Sequence, residues 1–546
     1  MNFEVLLADR LAPAFEAVAG APVDPAVRVS QHADLQSGAA LAMARQLGRA
    51  PRAIAAEVAA KADLDGLASI TLSGPGFLNL TIADDVITAA LDGLDDRLGV
   101  PPVSTPDRVV IDYSGPNAAK EMHVGHLRST IIGDALARIF AFAGHDVIRV
   151  NHLGDWGTQF GMLIEHLADL GGVGGSYTLG DLTDFYRQAR VKFDNDDDFR
   201  ARSRLRVVTL QSGEPESRAL WQRLITQSHR AFLDVYGRLG VTLAAGDFVG
   251  ESFYQDQLGS VVDELTASGL LVESEGALCA FPPGFTGRDG DPLPLIVRKS
   301  DGGFGYAATD LAALRHRTRV LGANRLLYVV GAPQQTHFRM VYAVARAAGW
   351  LPDGVTAEHV GFGSVLGPDG KMLRTRTGET IKLTDLLDEA SARASSAAIG
   401  IGAIKYADLA GDRRSDYVFD WDRMLSSTGD TGPYLQYAYA RIRSLFAKAT
   451  LSPGPIMLTA PAERDLALKV LAFEPALQAA IDAREPHRLA VYLHGLAVAF
   501  SAFYEQCPIL RAEPPLQASR LALADRTSRT LASGLTLLGI ALPKAM

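Results

Sequence analysis

Residues 108–160, RVVIDYSGPNAAKEMHVGHLRSTIIGDALARIFAFAGHDVIRVNHLGDWGTQF, decide the fold that we predict for this chain. Residues 109–113 form a short apolar run typical of a buried strand. From 126 to 143 apolar side chains recur every three or four positions, which predicts a helix. Gly144 stands where a left-handed residue ends such a helix, and 147–150 is a second apolar strand. This order of strand, loop, helix and strand indicates one right-handed crossover of a parallel sheet.

The loop before the helix carries three side chains suited to phosphate chemistry. These are Lys120, His123 and His126, and Gly125 stands between the histidines. In open parallel sheets ligands bind beyond the carboxyl ends of the strands, and the start of a helix offers unpaired N–H groups to an anion. Two imidazoles and an ammonium can stabilise a phosphoryl group during transfer, and Gly125 lets a ligand lie against the backbone. The alternative is a solvated loop with two surface histidines.

The sequence HVGH at 123–126 resembles the HIGH signature of the class I aminoacyl-tRNA synthetases, which other nucleotidyl transferases share. The longer string SGPNAAKEMHVGH, followed by NHLGDWGTQFG at 151–161, is similar to the arginyl-tRNA synthetase family in particular. The resemblance implies that arginine attacks the α-phosphate of ATP and that the terminal ribose of the tRNA then accepts the arginyl group. The implied partners are therefore L-arginine, tRNA(Arg) and ATP as a substrate with Mg²⁺.

Length and composition limit the class of protein. The 546 residues, 48% of them hydrophobic, predict about three domains. No run of about 18 uncharged apolar residues suggests a membrane span, and residues 1–10 do not read as a signal peptide. Cys279 and Cys507 match no disulfide or zinc pattern, and the aspartate run at 194–198 lacks the glycine and distal glutamate of a calcium loop. We therefore expect a cytoplasmic protein without a protein-held metal, and the family favours a monomer.

Three regions are predicted along the chain, which gives an α/β multidomain fold class. Residues 1–98, with a strand–turn–strand at 70–82, indicate a small α/β N-terminal domain. Its alternatives are a structural appendage or, as the resemblance implies, a domain that contacts tRNA. Residues 107–400 are predicted to be a Rossmann-like catalytic core of parallel strands, with an insertion at about 171–300. Residues 401–546 are predicted to be an all-α bundle, which the resemblance implies is the anticodon-binding domain.

Further candidate residues follow the insertion. Tyr306 and Asp310 open a predicted helix four residues apart, so they share one face. Gln334 and His337 follow a predicted strand at 324–331, again at a carboxyl end. Because a carboxylate best matches a planar guanidinium, the resemblance implies an arginine site formed by Asp112, Asn117, Tyr306, Asp310 and Gln334. It also implies an ATP site formed by His123, Gly125, His126, His337 and Gly363.

A glycine-rich loop at 367–380, GPDGKMLRTRTGET, contains Lys371, Arg374 and Arg376. Cations in such a loop can close over a triphosphate leaving group, and the alternative is a basic surface hairpin. The class I signature loop, Lys-Met-Ser-Lys-Ser, here reads Lys-Met-Leu-Arg-Thr from residue 371. Arginine therefore replaces the second lysine, which keeps the positive charge but spreads it over a planar guanidinium. In this family the lysine before the histidines is thought to substitute for an altered loop. The implied catalytic set is therefore Lys120, His123, His126, Lys371 and Arg374.

The C-terminal region offers candidates for RNA contact. The chain as a whole has a net charge of −9, but residues 436–546 carry 12 Lys+Arg against 8 Asp+Glu, which favours a local basic surface. The segment 431–445, TGPYLQYAYARIRSL, places aromatic residues beside arginines, a pattern suited to stacking on unpaired bases. Ordinary packing is the alternative. The resemblance implies tRNA contacts for Tyr434, Gln436, Tyr437 and Arg441.

Two other functions remain open at this point. A different adenylate-forming ligase or nucleotidyl transferase with a HIGH-type motif would explain the core but neither flanking region. A non-catalytic RNA-binding relative would be expected to lose signature residues, whereas Lys120, His123, His126 and Lys371 are all present. An arginyl enzyme dedicated to one pathway is not separable by sequence from one that serves translation.

Overall fold

The structure, a computed structural model, describes residues 2–64, 66–171, 179–287, 289–374 and 380–543. Its first region is a four-stranded antiparallel sheet with flanking helices. The elements are α1 (Phe3–Ala19), β1 (Val27–Val29), β2 (Leu35–Ser37), α2 (Ala39–Leu47), α3 (Pro51–Lys61), β3 (Ala68–Ser73), β4 (Phe77–Ile82) and α4 (Asp84–Asp92). The strand order is β1–β2–β4–β3. The strand–turn–strand predicted at 70–82 is β3–β4.

The second region contains a five-stranded parallel sheet. Its elements are β5 (Arg108–Asp112), α5 (Val124–Ala143), β6 (Asp146–Leu153), α6 (Thr158–Asp169), α7 (Leu179–Asn195), α8 (Asp197–Gln211), α9 (Pro215–Leu239), β7 (Phe248–Gly250), α10 (Leu258–Ala267), β8 (Val272–Ser274), β9 (Ala277–Ala280), β10 (Leu295–Arg298), α11 (Tyr306–Arg319), β11 (Arg325–Tyr328), α12 (Gln335–Ala347), β12 (Thr356–His359) and β13 (Val365–Leu366). The order is β12–β11–β5–β6–β7. The strands β6 and β7 lie on one side of β5, and the later strands β11 and β12 lie on its other side. The switch point is therefore between β5 and β11.

The strand β7 lies inside the segment predicted as an insertion. It pairs in parallel with residues 151–153 of β6, so the central sheet takes a strand from that segment. Before it come the helices α7 to α9, and after it the small antiparallel sheet of β8, β9 and β10. At three residues, β7 is too short to show a strand pattern in the sequence. The insertion bounds and the domain bounds stay predictions.

The third region is helical. Its elements are α13 (Leu383–Arg393), α14 (Ala397–Leu409), β14 (Tyr417–Val418), α15 (Trp421–Met424), α16 (Gly432–Lys448), α17 (Pro461–Leu471), α18 (Phe473–Ala483), α19 (His487–Gln506) and α20 (Pro514–Leu537). The short strand β14 pairs in parallel with β13 and so joins this region to the core. Among the described residues, no helix combines the length and the apolar character that a bilayer span requires.

The helix α5 is buried along most of its length because it lies between the parallel sheet and the helices α14, α18 and α20. It starts at Val124, two residues before the predicted start, and ends at Ala143, and the following Gly144 has the predicted left-handed conformation with a φ of 101°. Gly133 permits its closest approach to the segment after β5. A Cβ on Gly133 would lie 2.2 Å from the Cβ of Tyr113, far inside van der Waals contact.

We expect Gly133→Ala to destabilise the protein, because neither the helix nor the buried Tyr113 ring can move freely in a close-packed core. Overpacking of this kind costs about 3 kcal/mol and should lower the Tm by about 3 °C in a thermal melt. The matched control is Gly237→Ala in α9, where a Cβ would meet nothing within 4 Å. The Tm of the control should stay unchanged or rise, since alanine favours a helix. Equal melting of both variants would contradict this packing argument.

Candidate functional site

A cleft of about 660 Å³ opens at the carboxyl edge of the parallel sheet, at the switch point between β5 and β11. One wall is the segment from Asp112 to Asn117 after β5, and another is the segment from Val329 to Gln334 after β11. The first turns of α5 and α11 face the same space. Eight of the predicted site residues line this one cleft, namely Asp112, Asn117, Gly125, His126, Tyr306, Asp310, Gln334 and His337.

The two histidines of HVGH cap the start of α5 reciprocally. His123 Nδ1 accepts a hydrogen bond from the N–H of Gly125, and His126 Nδ1 accepts one from the N–H of His123, each at 3.1 Å. Because Nδ1 is an acceptor in both rings, each neutral ring carries its proton on Nε2. The ring centroids are 4.1 Å apart. The pair therefore offers two N–H donors from one helix terminus.

Burial keeps both imidazoles neutral. Burial and then the neighbouring His123 lower the pKa of His126 to about 3, while burial and then Lys120 lower the pKa of His123. The rings therefore offer N–H donors rather than positive charge. Gly125 has a role that the sequence did not indicate, because a Cβ there would lie 2.8 Å from Cε1 of His123 and displace the capping ring.

The predicted cations do not line the cleft. Lys120 Nζ lies 4.5 Å from the centroid of the Tyr186 ring on α7. Lys371 is exposed at the turn of a hairpin that the Gly367 N–H and the Lys371 carbonyl close at 2.7 Å. Arg374 is exposed on the same hairpin, and Arg376 lies outside the described residues.

Residues that follow this hairpin pair with the segment that carries HVGH. The N–H of Val124 donates to the carbonyl of Ile381 at 3.0 Å, and the N–H of Leu383 donates to the carbonyl of Met122 at 2.9 Å. Gly363, predicted to contact ATP, packs elsewhere. A Cβ there would lie 2.6 Å from Oδ1 of Asp416, so this glycine permits the close approach of residues 415–416 and does not line the cleft.

Asp310 and His337 form one unit in the cleft. His337 Nε2 lies 2.6 Å from Asp310 Oδ2, so this histidine, predicted to contact ATP, orients the carboxylate predicted to contact arginine. Tyr306 stands one helical turn before Asp310 and is 79% exposed, which leaves its ring available to a ligand. Asn117 is fixed on the opposite wall by Gly154, where a Cβ would lie 2.0 Å from Asn117 Oδ1.

The side chain of Asp112 has a buried ion-pair partner within the protein. Its Oδ2 accepts a hydrogen bond from Nη2 of Arg317 at 2.7 Å, and Arg317 is 1% exposed. The carboxylate predicted to bind a substrate guanidinium is therefore already paired with a guanidinium of the chain. Asp112 forms part of the floor of the cleft, and Arg317 in α11 fixes it there.

Glu251, which the sequence reasoning missed, supplies a second carboxylate to the cleft. It directly follows β7 and begins a 3-10 turn. Asp155 fixes this turn, because its Oδ1 accepts from the N–H of Ser252 at 2.9 Å and its Oδ2 accepts from the Ser252 hydroxyl at 2.6 Å. Burial, then the charges of Asp155 and Asp310, raise the pKa of Glu251 to about 8. The only sequence signal was an acidic residue after a very short apolar run.

The candidates for RNA contact divide into two groups. Gln436 is fully buried, and its Nε2 donates to the carbonyls of Ala398 and Ala541 at 3.1 and 2.8 Å. The side chain therefore links α16 to the start of α14 and to the segment after α20 rather than reaching the surface, and its contact with tRNA stays a prediction. Tyr434 is half-buried, with its hydroxyl 3.1 Å from that of Ser501.

An exposed stack lies further along α16. The Arg441 guanidinium is 4.6 Å from the ring centroid of Tyr437 and 5.3 Å from that of Tyr504, and the two rings are 39% and 40% exposed. Tyr504 lies on α19 and was not predicted, because the contact joins residues far apart in the chain. Two aromatic faces beside a cation form a surface on which unpaired bases can stack.

Three sequence models of protein families match this chain. The model described as tRNA synthetases class I (R), catalytic domain, matches residues 94–398. The model described as Arginyl tRNA synthetase N terminal domain matches residues 2–82. The model described as DALR anticodon binding domain matches residues 435–546. Together they reach all three predicted regions.

Individual relatives are similar over the whole chain. The arginine–tRNA ligase of Thermobifida fusca (strain YX) is 51% identical, over 100% of this chain and 99% of that protein. The structure of arginyl-tRNA synthetase from Plasmodium falciparum has a TM-score of 0.86 at 29% identity and covers 100% of this chain and 99% of its own. That of Thermus thermophilus has a TM-score of 0.84 at 27% identity and covers 100% of both chains. These similarities confirm the predicted fold class.

We expect binding of a guanidinium ligand in this cleft to strengthen as the pH rises from 7 to 9. Glu251 ionises near pH 8, whereas a guanidinium stays charged throughout, so the apparent Kd of arginine should fall by about tenfold. Calorimetric titration of arginine at several pH values measures this. Glu251→Gln should bind more weakly and lose the pH dependence. A wild-type Kd that is flat across this range would contradict the role of Glu251.

Proposed function

The chain belongs to the class I arginyl-tRNA synthetases, and we propose how its cleft carries out the reaction of that family. The reaction is the ATP-dependent attachment of L-arginine to tRNA(Arg), which gives arginyl-tRNA, AMP and diphosphate for translation. One observation carries the proposal. Two carboxylates, Asp310 and Glu251, line the same cleft as His126, which with His123 caps the start of α5 at the switch point of the sheet.

Arginine is held by its guanidinium at the acidic end of the cleft. Asp310, oriented by His337, and Glu251, fixed through Asp155, supply acceptors from the start of α11 and from the end of β7. The exposed Tyr306 ring packs along the aliphatic stem, and Asn117 and Gln334 bind the amino and carboxylate groups. A site that must pair a buried charge in this way rejects neutral and acidic amino acids without an editing step.

ATP is held against the start of α5. His123 and His126 each donate an Nε2–H to phosphate oxygens, and the helix terminus favours the anion. Since both rings are neutral, the positive charge for the pentacoordinate phosphorus and the leaving diphosphate comes from Lys120 and from Lys371 and Arg374 of the hairpin. Alignment and charge stabilisation suffice, because the arginine carboxylate is itself the nucleophile.

Mg²⁺ enters with the ATP phosphates rather than in a site of its own. Within the described ranges, no group of three or more His, Cys, Asp or Glu side chains is arranged to hold a metal ion. When bound, the ion supplies additional charge at the diphosphate. The Mg²⁺ dependence of the rate should therefore follow the concentration of the ATP complex.

The tRNA is held by the two flanking regions. The stack of Tyr437, Arg441 and Tyr504 contacts unpaired bases, with Tyr434 behind it, and the N-terminal region contacts a second part of the tRNA. We place the enzyme in the cytoplasm as a monomer. Gel filtration with light scattering checks the oligomeric state.

The decisive experiment is arginine-dependent ATP–pyrophosphate exchange, run with and without tRNA(Arg). Exchange only in the presence of the tRNA supports the proposal, because arginyl enzymes typically need it to form the adenylate. Exchange without the tRNA would favour a different adenylate-forming ligase. No exchange in either condition, with arginine confirmed to bind, would indicate a non-catalytic relative.

We expect Asp310→Ala to raise the KM for arginine by about 100-fold, because it removes a charged partner of the guanidinium. The KM for ATP should stay nearly constant in the same exchange assay. Asp256→Ala is the matched control, since Asp256 is an exposed carboxylate outside the cleft. Equal increases in both KM values for Asp310→Ala would remove this residue from the arginine site.

A further inference from the structure

Two adjacent residues at the start of α17, Glu463 and Arg464, connect one helical turn to two different regions. Glu463 is 1% exposed and caps its own helix, because its Oε2 accepts from the N–H groups of Thr459 and Ala460 at 2.6 and 2.9 Å. Its Oε1 accepts from Nε of Arg520 in α20 at 2.7 Å. This turn is therefore fixed within the C-terminal bundle.

Arg464 points the other way, into the N-terminal region. Its Nη1 and Nη2 bind the two oxygens of Asp34 at 2.7 Å each, which is a bidentate pair. Its Nε donates to Asp84 Oδ1 at 2.8 Å, and Nη2 also donates to the Ile82 carbonyl at 2.7 Å. The guanidinium thus contacts the segment before β2, the end of β4 and the start of α4. Three points fix an orientation as well as a position.

The acceptor side is also rigid. Oδ2 of Asp34 accepts from the N–H of Ile82 at 2.8 Å, so the carboxylate extends the pairing of β2 with β4. The side chains of Asp34 and Arg464 are 12% and 21% exposed. Salt screens a half-buried bidentate ion pair only weakly, and neighbouring groups already hold its side chains in place. Most surface ion pairs are screened by salt and cost side-chain entropy to form.

The contact lies at an open part of this interface. Beside the pair lies a cleft of about 650 Å³ between the two regions, lined by residues such as Phe3, Ile82, Leu468 and Val498. The second arginine across the interface, Arg529, pairs with Asp96, whose side chain is fully exposed. Apolar packing of α4 on α17 holds the two regions together, and Arg464 adds directional contacts that packing alone lacks.

We propose that Arg464 is a positioning residue for tRNA: it fixes the N-terminal region at a set angle to the C-terminal bundle, so that both contact one tRNA molecule. The inference rests on the proposed function, in which these two regions hold the tRNA. When a tRNA binds one of two rigidly linked surfaces, the other surface is already in place, so contact with it costs little further translational and rotational entropy. Arg464 itself has its donors turned towards protein and contacts no RNA.

The test is aminoacylation by the full chain with Arg464→Met, Arg464→Lys and Asp34→Asn, and with Arg529→Met as the matched control. The KM for tRNA(Arg) should rise by about tenfold in Arg464→Met and in Asp34→Asn, less in Arg464→Lys, and not in the control. The kcat at saturating tRNA and the Kd of arginine without tRNA should not change. The double variant Arg464→Met, Asp34→Asn should be no worse than either single one.

Hydrogen exchange supplies an independent measurement. Amides at the end of β4 and the start of α4 should exchange faster in Arg464→Met and Asp34→Asn than in wild type, with β5 and α5 unchanged. An unchanged KM for tRNA in variants with faster exchange would overturn the proposal. A rise in KM for Arg464→Met but not for Asp34→Asn would also overturn it, since Arg464 would then contact the RNA directly. Wild-type protein that charges no tRNA with arginine would overturn the proposed function, whatever the exchange data show.

Discussion

The start of α5 is the constraint on which the site depends. The two histidine rings satisfy backbone N–H groups that a helix terminus otherwise leaves unpaired, and the same bonds set which ring nitrogen carries the proton. The same two hydrogen bonds therefore stabilise the helix terminus and set the tautomers of the rings. Because α5 is buried between the sheet and the bundle, its first turn cannot shift without moving both. The site is rigid where the phosphate would lie.

In this arrangement the histidines supply hydrogen-bond donors, and other residues supply the positive charge. The cleft is lined by the carboxylates of Asp310 and Glu251 and by the neutral imidazole of His126, while Lys120, Lys371 and Arg374 do not line it. Under the proposed function, these three side chains supply the positive charge at the phosphates from outside the cleft. The cleft itself supplies acceptors, which suit the guanidinium of arginine, and N–H donors, which suit phosphate oxygens.

The sequence could predict those features that are local. The crossover from β5 through α5 to β6 has enough periodic residues to be recognised, and Tyr306, Asp310, Gln334 and His337 follow from their place at strand ends or helix starts. Features that depend on distant contacts could not be predicted. Asp112 pairs with Arg317, 205 residues away, and Gln436 is buried by the carbonyls of two other segments. Glu251 was missed because β7 has three residues, and Tyr504 because its partner is on another helix.

The hairpin that carries Lys371 and Arg374 is attached at both of its ends. Before it, β13 pairs with β14, and after it, Ile381 pairs with Val124 beside the capping histidines. These two attachments lie on different parts of the fold, because β14 belongs to the C-terminal helical region and Val124 begins α5. A displacement of either part therefore moves one end of the segment that carries Lys371 and Arg374.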